Sequence, residues 1–482
     1  MREDWIECCF EDLLDYEQPT KYIVNSTDYN DAYEMPVLTA GKSFIKGYTN
    51  ETEGIFENLP TIIFDDFTTA SQYVDFKFKV KSSAMKILVP TSKLVNMRFA
   101  FYCMQVNQIR NDTHKRYWIS VYAKKKFLLP SLVEQKAIIY KIEELFSDLD
   151  KGIADLNKAK EQLVVFRQAV LKKAFEGELT REWREKQINL PSADELIEQI
   201  KEERERFYNQ QLEDWKKAVK DWEKNGKNTT KPLKTRPKSK LNNLSKSEID
   251  SLPAIPKSWG YCYLAYAGDL GRGKSKHRPR NDKRLFGGNY PFIQTAEVKA
   301  QEIITEYEKC YSDFGLAQSK LWPKGTLCIT IAANIADTGF LGIDACFPDS
   351  IVGFTPFENI IHSNYIDYFF QSAKARITAY APATAQKNIN LNTLENLVVP
   401  FCSKKEQEQV FKEIESRLSV CDKVEQSITE SLEKAKALRQ SILKKAFEGK
   451  LLSAAEIERC KQEEDYEPAS VLLEKIKKEK KK

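Results

Sequence analysis

Histidine is almost missing from this chain: three in 482 residues, His114, His277 and His362. Ten cysteines are scattered, with no CxxC pair and no regular framework. A zinc site is therefore not expected, nor a disulfide scaffold, and reduced thiols in the cytoplasm fit this usage. Long apolar runs are missing too. None approaches the roughly 18 residues of a spanning helix, so no membrane segment is expected. The opening "MREDWIECCFEDLL" is acidic where a signal peptide is basic. Nor is there a large excess of charge of one sign. Lysine and arginine number 75 against 70 acids, a net charge of +5 with 30% of residues charged. A basic surface must therefore come from local clustering. The length exceeds one ordinary core and implies two or more domains.

What is present is a repeat. "RQAVLKKAFEGEL" (167–179) returns as "RQSILKKAFEGKL" (439–451), displaced by 272 residues. Extended back to Glu134-Gln135 and Glu406-Gln407, 46 aligned residues carry 18 identities without a gap. A proline precedes each copy, in "LLPSLVEQ" (128–135) and "VVPFCSKKEQ" (398–407). The window contains no proline, and its glycines are Gly152 and the terminal Gly177 or Gly449. Ile142, Leu149, Leu156, Leu163 and Val170 fall seven apart, with Ile414, Cys421, Ile428, Ala435 and Ile442 as counterparts. Phe146, Ile153 and Ala174, or Leu418, Leu432 and Ala446, supply the intervening seam. Sustained heptads bury a stripe against another helix. The pattern predicts two long helices, each about 60 Å for forty residues, paired with each other in one coiled coil. Two separate amphipathic core helices are the plainer alternative. Lys160, Arg167, Glu425 and Arg439 interrupt the seam, either at its edge or to fix register.

The stretches before the two helices agree in order more than in letters. Trp5 opens one and Trp259 the other. Each ends with an amphipathic helix, with Val95, Phe99, Tyr102, Val106 and Ile109 on one face in the first, and Ile366, Phe369, Phe370, Ala373 and Ile377 in the second. A polar element follows each, "HKRYW" (114–118) and "AQKNIN" (385–390). "TIIFDD" (61–66), "AMKILVP" (84–90) and "TLCITIAAN" (326–334) read as strands. Between the halves, 193–226 reads as a charged, exposed helix or helix pair. Residues 227–246, with seven lysines and arginines and few apolar residues, read as a flexible connector.

"GDLGRGKS" (268–275) matches the phosphate-loop pattern at Gly268, Gly273, Lys274 and Ser275. The context fails: "KHRPRNDKRLFGG" follows, with Pro279 and no apolar face, where a helix N-terminus is needed. The stretch reads better as a loop contacting a polyanion. Seven basic side chains lie between Arg272 and Arg284 against the single acid Asp282, and twelve lie between Lys77 and Lys126 against Asp112. Basic side chains neutralise phosphates, and Asn, Gln and Arg also read base edges. A merely solvated basic face is the plainer reading of either patch alone. The candidate DNA-contacting residues are Lys81, Lys115, Arg116, Arg272, Lys274, Arg278, Arg280, Gln386, Lys387, Asn388 and Asn390.

The whole pattern resembles the specificity subunit of type I restriction-modification enzymes. The residues that carry the resemblance are "LPSLVEQKAIIYKIEELFSDLDKGI", "FRQAVLKKAFEGELT" and "RQSILKKAFEGKL" in the repeat, with "YPFIQTAEV", "TIAANIADTGFLGIDACFPDSIVGF" and "TAQKNINLNTLENLVVP" in the second half. "PVLTAGKSFIKGYT" and "IIFDDFTTASQYVDFKFKVKSSAMKIL" are similar to another version of the same recognition domain. The resemblance implies a mixed α/β (α+β) fold: two globular target-recognition domains separated by a long antiparallel coiled coil of the two repeated helices. The implied limits are 1–130 and 253–401 for the recognition domains. They are 131–180 for the first helix, 181–252 for the connector, and 402–482 for the second helix with its charged tail. It implies a cytoplasmic, non-catalytic subunit that reads a bipartite, asymmetric target in double-stranded DNA. It also implies two methyltransferase subunits holding S-adenosylmethionine and restriction subunits using ATP and magnesium, with no cofactor, metal or catalytic residue in this chain. No NPPY-type or DPPY-type tetrapeptide and no helicase-like motor is found in the sequence. Two other readings stand beside it: a nucleotide-dependent DNA enzyme using Gly268 to Ser275, and a coiled-coil scaffold with two protein-binding heads.

Overall fold

The computed structural model describes residues 2–41, 43–107, 116–226, 231–232, 234, 244–299, 303–332, 334–379 and 389–481. The chain forms two compact units, 1–159 with 427–482, and 160–426. Each mixes helix and sheet.

The repeated windows are helices of 44 residues, Leu132–Phe175 and Lys404–Phe447. Local chemistry sets both ends. Ser131 Oγ accepts the Glu134 N–H, and Ser403 Oγ accepts that of Glu406. At the far end, Gly177 and Gly449 have φ of 75° and 71°. The next N–H reaches back to Lys173 or Lys445, at 2.9 and 2.8 Å, so "FEG" is a left-handed stop.

The helices pair antiparallel. In the second unit Lys160 meets Glu425 at 3.9 Å, while Arg167, further along, meets the earlier Asp422 at 2.7 Å. In the first unit Arg439 donates to both oxygens of Asp150 at 2.9 Å and lies 4.2 Å from the Phe146 ring centroid. Arg167 and Arg439 are repeat counterparts, and so are Asp422 and Asp150. The same cross-helix pair is made twice, so the charges that interrupt the seam bind across it. Ile142, Val170, Ile414 and Ile442 are buried because residues of the sheet-bearing regions join their clusters. Between them Cys421 and Ile428 are buried, while Leu149, Leu156, Leu163 and Ala435 are half-buried; a lone partner helix covers the stripe unevenly.

Ahead of each long helix stands the same framework. In the first unit, strand Ile6–Cys9 pairs antiparallel with Lys126–Leu129; in the second, Gly260–Tyr263 pairs with Val398–Phe401. Trp5 and Trp259 each sit one residue before the opening strand, and both are buried. A four-residue helix follows in each, Phe10–Leu13 or Leu264–Ala267. The main sheet of the first unit has the order Leu14–Glu17, Met85–Pro90, Thr61–Asp65, Ser71–Val74. That of the second has the order Gly268–Arg272, Ile351–Pro356, Leu327–Thr330, Thr338–Leu341, with Ile303–Ile304 added at the edge. Leu14 faces Pro90 as Gly268 faces Pro356. Helices Met97–Val106 and Ser363–Ala379 begin equally far beyond those prolines.

All five residues predicted for the face of the second of these helices are buried. In the first helix the buried stripe is Met97, Phe99, Ala100, Cys103 and Met104. Val95 lies before the Asn96 cap, so a count started there runs out of phase; Ile109 lies outside the described residues.

The connector also differs from expectation. Ala193–Lys224 is one helix whose first turns are docked rather than exposed: Leu196 and Ile200 are buried, and Glu203 accepts from Asn359 Nδ2 at 2.7 Å. In the first unit the helix Ala469–Lys480 does the same, with Leu472 and Ile476 buried and Glu479 bonded to Ser92. Leu196 and Leu472, Ile200 and Ile476, and Glu203 and Glu479 share a displacement of 276, four more than the 272 of the long helices, so the repeat continues into these helices after a four-residue shift. Dense charge around a narrow apolar stripe concealed it.

Each long helix also begins with a buried carboxylate. Glu134 takes the Trp5 indole N–H at 3.1 Å and faces Arg2 at 3.1 Å. Glu406 takes the Thr180 hydroxyl at 2.9 Å and pairs with Arg184, which lies over Trp259.

Candidate nucleic-acid interface

The Gly-Lys-Ser stretch is a strand before it is a loop. Gly268–Arg272 lies at the edge of the main sheet with its backbone laddered to Ile351–Pro356, and Gly273 N–H continues the ladder to Ile351 O at 2.9 Å. The expected loop therefore begins only after Gly273. Its glycines answer to packing. A Cβ on Gly268 would collide with Thr355 O and the Phe354 ring, and one on Gly273 with Pro348 O and Phe347 O. Ser275 is buried, 3.5 Å from the Tyr311 hydroxyl. These donors and this hydroxyl are committed inward, unlike those of a phosphate cradle.

Beyond Gly273 the chain presents its cations. Lys274 is exposed, and its carbonyl accepts the Ser319 hydroxyl at 2.8 Å. Arg278 Nη1 binds the carbonyls of Ser275 and His277 at 2.6 and 2.9 Å. Arg272 Nε binds the Asp349 carbonyl, and Arg280 Nη2 binds both Asp349 carboxylate oxygens at 2.8 and 2.9 Å. Asp282, the acid in this run, is bonded by Arg284 and His277, which hold its carboxyl well below the usual carboxylate range. Arg272, Lys274, Arg278 and Arg280 thus come together around one loop.

Beside that loop opens a cleft of about 630 Å³. Arg280, Asn281, Gln294 and Lys309 give it polar groups; Phe286 and Tyr311 are among its apolar walls. Phe292 stacks on Tyr311, ring centroids 4.2 Å apart. Sequence reasoning does not single out Asp349, Gln294 and Lys309, because they join Arg280 only when distant segments fold together.

In the first unit Lys81 and Arg116 are exposed. Lys81 N–H bonds Leu38 O at 3.1 Å, just beyond strand Lys79–Val80. Arg116 precedes Tyr117 and Trp118, whose N–H groups bond Asp66 Oδ1 at 3.0 and 2.8 Å. Nearby Lys86 is buried over the Tyr16 ring, and burial lowers its pKa. Asn390 caps the helix Leu391–Glu395, its Oδ1 taking the Thr393 N–H at 2.8 Å and hydroxyl at 3.0 Å. Lys115, Gln386, Lys387 and Asn388 lie outside the described residues. Among the described residues no group of three or more His, Cys, Asp or Glu is placed to hold a metal, and no helix is long and apolar enough to cross a membrane.

Residues 266–434 match the type I restriction modification DNA specificity domain. The EcoR124I/EcoR124II specificity subunit of Escherichia coli is 42% identical over 186 residues, 36% of this chain and 45% of that protein. The EcoBI specificity subunit of Escherichia coli is 25% identical over 361 residues, 73% of this chain and 64% of that protein. The chain thus spans less than two thirds of the length of either relative. In a solved structure described for complex assembly and conformational transition of the type I R-M system, one chain shares the fold. The TM-score is 0.61 at 14% identity, over 94% of this chain and 99% of that one. Residues 266–434 thus carry a type I restriction modification DNA specificity domain, and the similarity to relatives that are themselves specificity subunits and the shared fold point the same way.

Proposed function

We propose that this chain is the DNA sequence-recognition subunit of a type I restriction-modification complex, without catalysis of its own. Each recognition domain (1–130 and 253–401) reads one half of a bipartite, asymmetric target. The observation that carries this reading is one framework built twice, with the same strand order and register, under two different surfaces. A duplicated reader with divergent surfaces fits two unlike half-sites.

The paired helices hold the spacing and dock two methyltransferase subunits. Val164, Val165 and Phe166 on one helix and Leu438 on the other are large apolar side chains left exposed, as expected of helices that meet further helices. S-adenosylmethionine belongs to those partners, and ATP with magnesium to the restriction subunits, all in the cytoplasm. The nucleotide-enzyme reading loses its support once Gly268–Arg272 is a laddered strand.

The test exchanges residues before Pro130 for another recognition domain. One half of the recognised target changes and the other stays. Both halves changing together, or binding that ignores salt where phosphate-dominated affinity falls steeply, would sink the proposal in favour of a protein scaffold.

A further inference from the structure

We propose that the cleft beside Arg280 takes the edge of a single base pair of the second half-site, that Arg280 reads a guanine there, and that Asp349 aims it. This rests on the reading of the second recognition domain as a DNA-binding module, and it separates a base reader from the surrounding phosphate contacts.

The cations around the loop are not equivalent. Arg272 and Arg278 are tied to backbone carbonyls, and Lys274 is a flexible, exposed ammonium. Such groups neutralise phosphate without needing a fixed plane. Arg280 is half exposed yet held through one nitrogen on both oxygens of Asp349. That orients the guanidinium plane and leaves its other donors for a second planar acceptor. The guanine N7 and O6 pair is the base edge that matches an arginine fork. An acid inside a surface meant only to attract phosphate would work against it; an acid that fixes an arginine loses little attraction and saves the entropy of ordering it on binding.

The cleft supplies the remainder of a reading site. Asn281 and Gln294 carry the amides suited to base edges, and Lys309 brings charge. Phe286 and Tyr311 form apolar walls, so a wrong base leaves a donor facing little water, which is what makes discrimination large.

The experiment selects duplexes from a randomised pool with the intact complex. The wild type is expected to require a G·C pair at one position of the second half-site. Arg280→Ala relaxes that position alone, with discrimination falling roughly 5- to 150-fold, while the first half-site is unchanged. Arg280→Lys relaxes it too, because an ammonium is not a fork. Asp349→Asn weakens discrimination at the same position while raising affinity for unrelated DNA, a split that simple loss of structure does not produce. If Arg280→Ala lowers affinity evenly and leaves the selected sequence intact, Arg280 is a phosphate contact and the proposal fails. If the triple change Lys274→Ala, Arg278→Ala, Arg280→Ala alters neither affinity nor sequence, the second recognition surface lies elsewhere and the reading beneath the proposal fails with it.

Discussion

After its short helix the first unit runs Leu14-Asp15-Tyr16-Glu17, and the second runs Gly268-Asp269-Leu270-Gly271-Arg272, at the same edge of the same sheet order. A leucine suffices in one place where a glycine stands in the other. The position in the sheet therefore does not demand glycine; the ring of Phe354 and the backbone at Thr355 do, as the backbone at Phe347 and Pro348 does at Gly273. Gly268 and Gly273 of an eight-residue match to a nucleotide motif answer to crowding in one copy, and the match vanishes in the other. Two copies of one framework separate what the fold requires from what each surface adds.

The strongest way to break the comparison is to put its shared element out of phase. Two residues inserted at Leu156 and again at its counterpart Ile428 turn each seam by about 200° and send the apolar stripe to solvent. Assembly is expected to be lost in a pull-down with partner subunits. Four residues at each site, about one turn and 6 Å, keep the seam facing its partner. They are expected to lengthen the recognised spacer by one or two base pairs, at about 3.4 Å each, with both half-sites intact. An active four-residue variant with an unchanged spacer would leave the coil as a dock and not a ruler.

The next comparison is between the buried carboxylates. Arg184→Ala strands Glu406 and Arg2→Ala strands Glu134, and either is expected to cost its own unit about 3–5 kcal/mol. Denaturant melts followed through Trp259 and Trp5 would report the unit affected. Loss of the wrong unit would contradict the equivalence. Burial raises the Glu134 carboxyl above its ordinary range, against the opposing pull of Arg2. A carboxyl raised in the folded state contributes stability at low pH and loses it as pH rises through the raised value. Glu134→Gln is therefore expected to gain on the wild type as pH rises from acid towards neutral, read as the difference in melting midpoint.

Gly273→Ala sharpens the contrast between packing and chemistry. It should cost the second unit about 1–3 kcal/mol by overpacking and leave nucleotide binding by the purified chain unaltered. A stable variant that had lost bound ATP would restore the phosphate-loop reading.

Much of this is legible in one sequence because a repeat gives two readings of each structural demand. The heptads from Ile142 to Val170 and the terminal "FEG" predict both helices and their ends. The amphipathic face at Ile366 to Ile377 is legible too, since five apolar residues at helical spacing admit one face. The docked turns at Leu196 and Ile200 are not, because two apolar residues among many charges fall below what periodicity detects. The edge strand at Gly268 is hidden because glycine lowers strand propensity, and tertiary crowding overrides it. The cleft is not legible at all: Arg280, Gln294, Lys309 and Asp349 come from four separate segments, and only the folded sheet assembles them.

The smallest expected effect concerns the charges in the seam. Arg167 with Asp422 and Arg439 with Asp150 are the same pair made twice, yet their surroundings differ. Arg167 also reaches Glu425 at 3.0 Å, whereas the counterpart of Glu425 in the other copy is Ile153. Arg439 instead lies over Phe146, whose counterpart is Leu418. Exposed ion pairs typically couple by about 0.2–1 kcal/mol, and these arginines are a quarter to two fifths exposed. Double-mutant cycles on Arg167 with Asp422 and on Arg439 with Asp150 are expected to give couplings in that range. Salt should separate them. Arg167 is held by two carboxylates, so about 0.5 M salt weakens it more, while the ring contact of Arg439 persists because its attraction is short-ranged and screened little. Combining Arg167→Asp with Asp422→Arg keeps the attraction within that pair but sets the introduced carboxylate against Glu425. That double variant should be less stable than the matching reversal, Arg439→Asp with Asp150→Arg. Equal stability of the two reversals would show that Glu425 contributes nothing to the register of the seam.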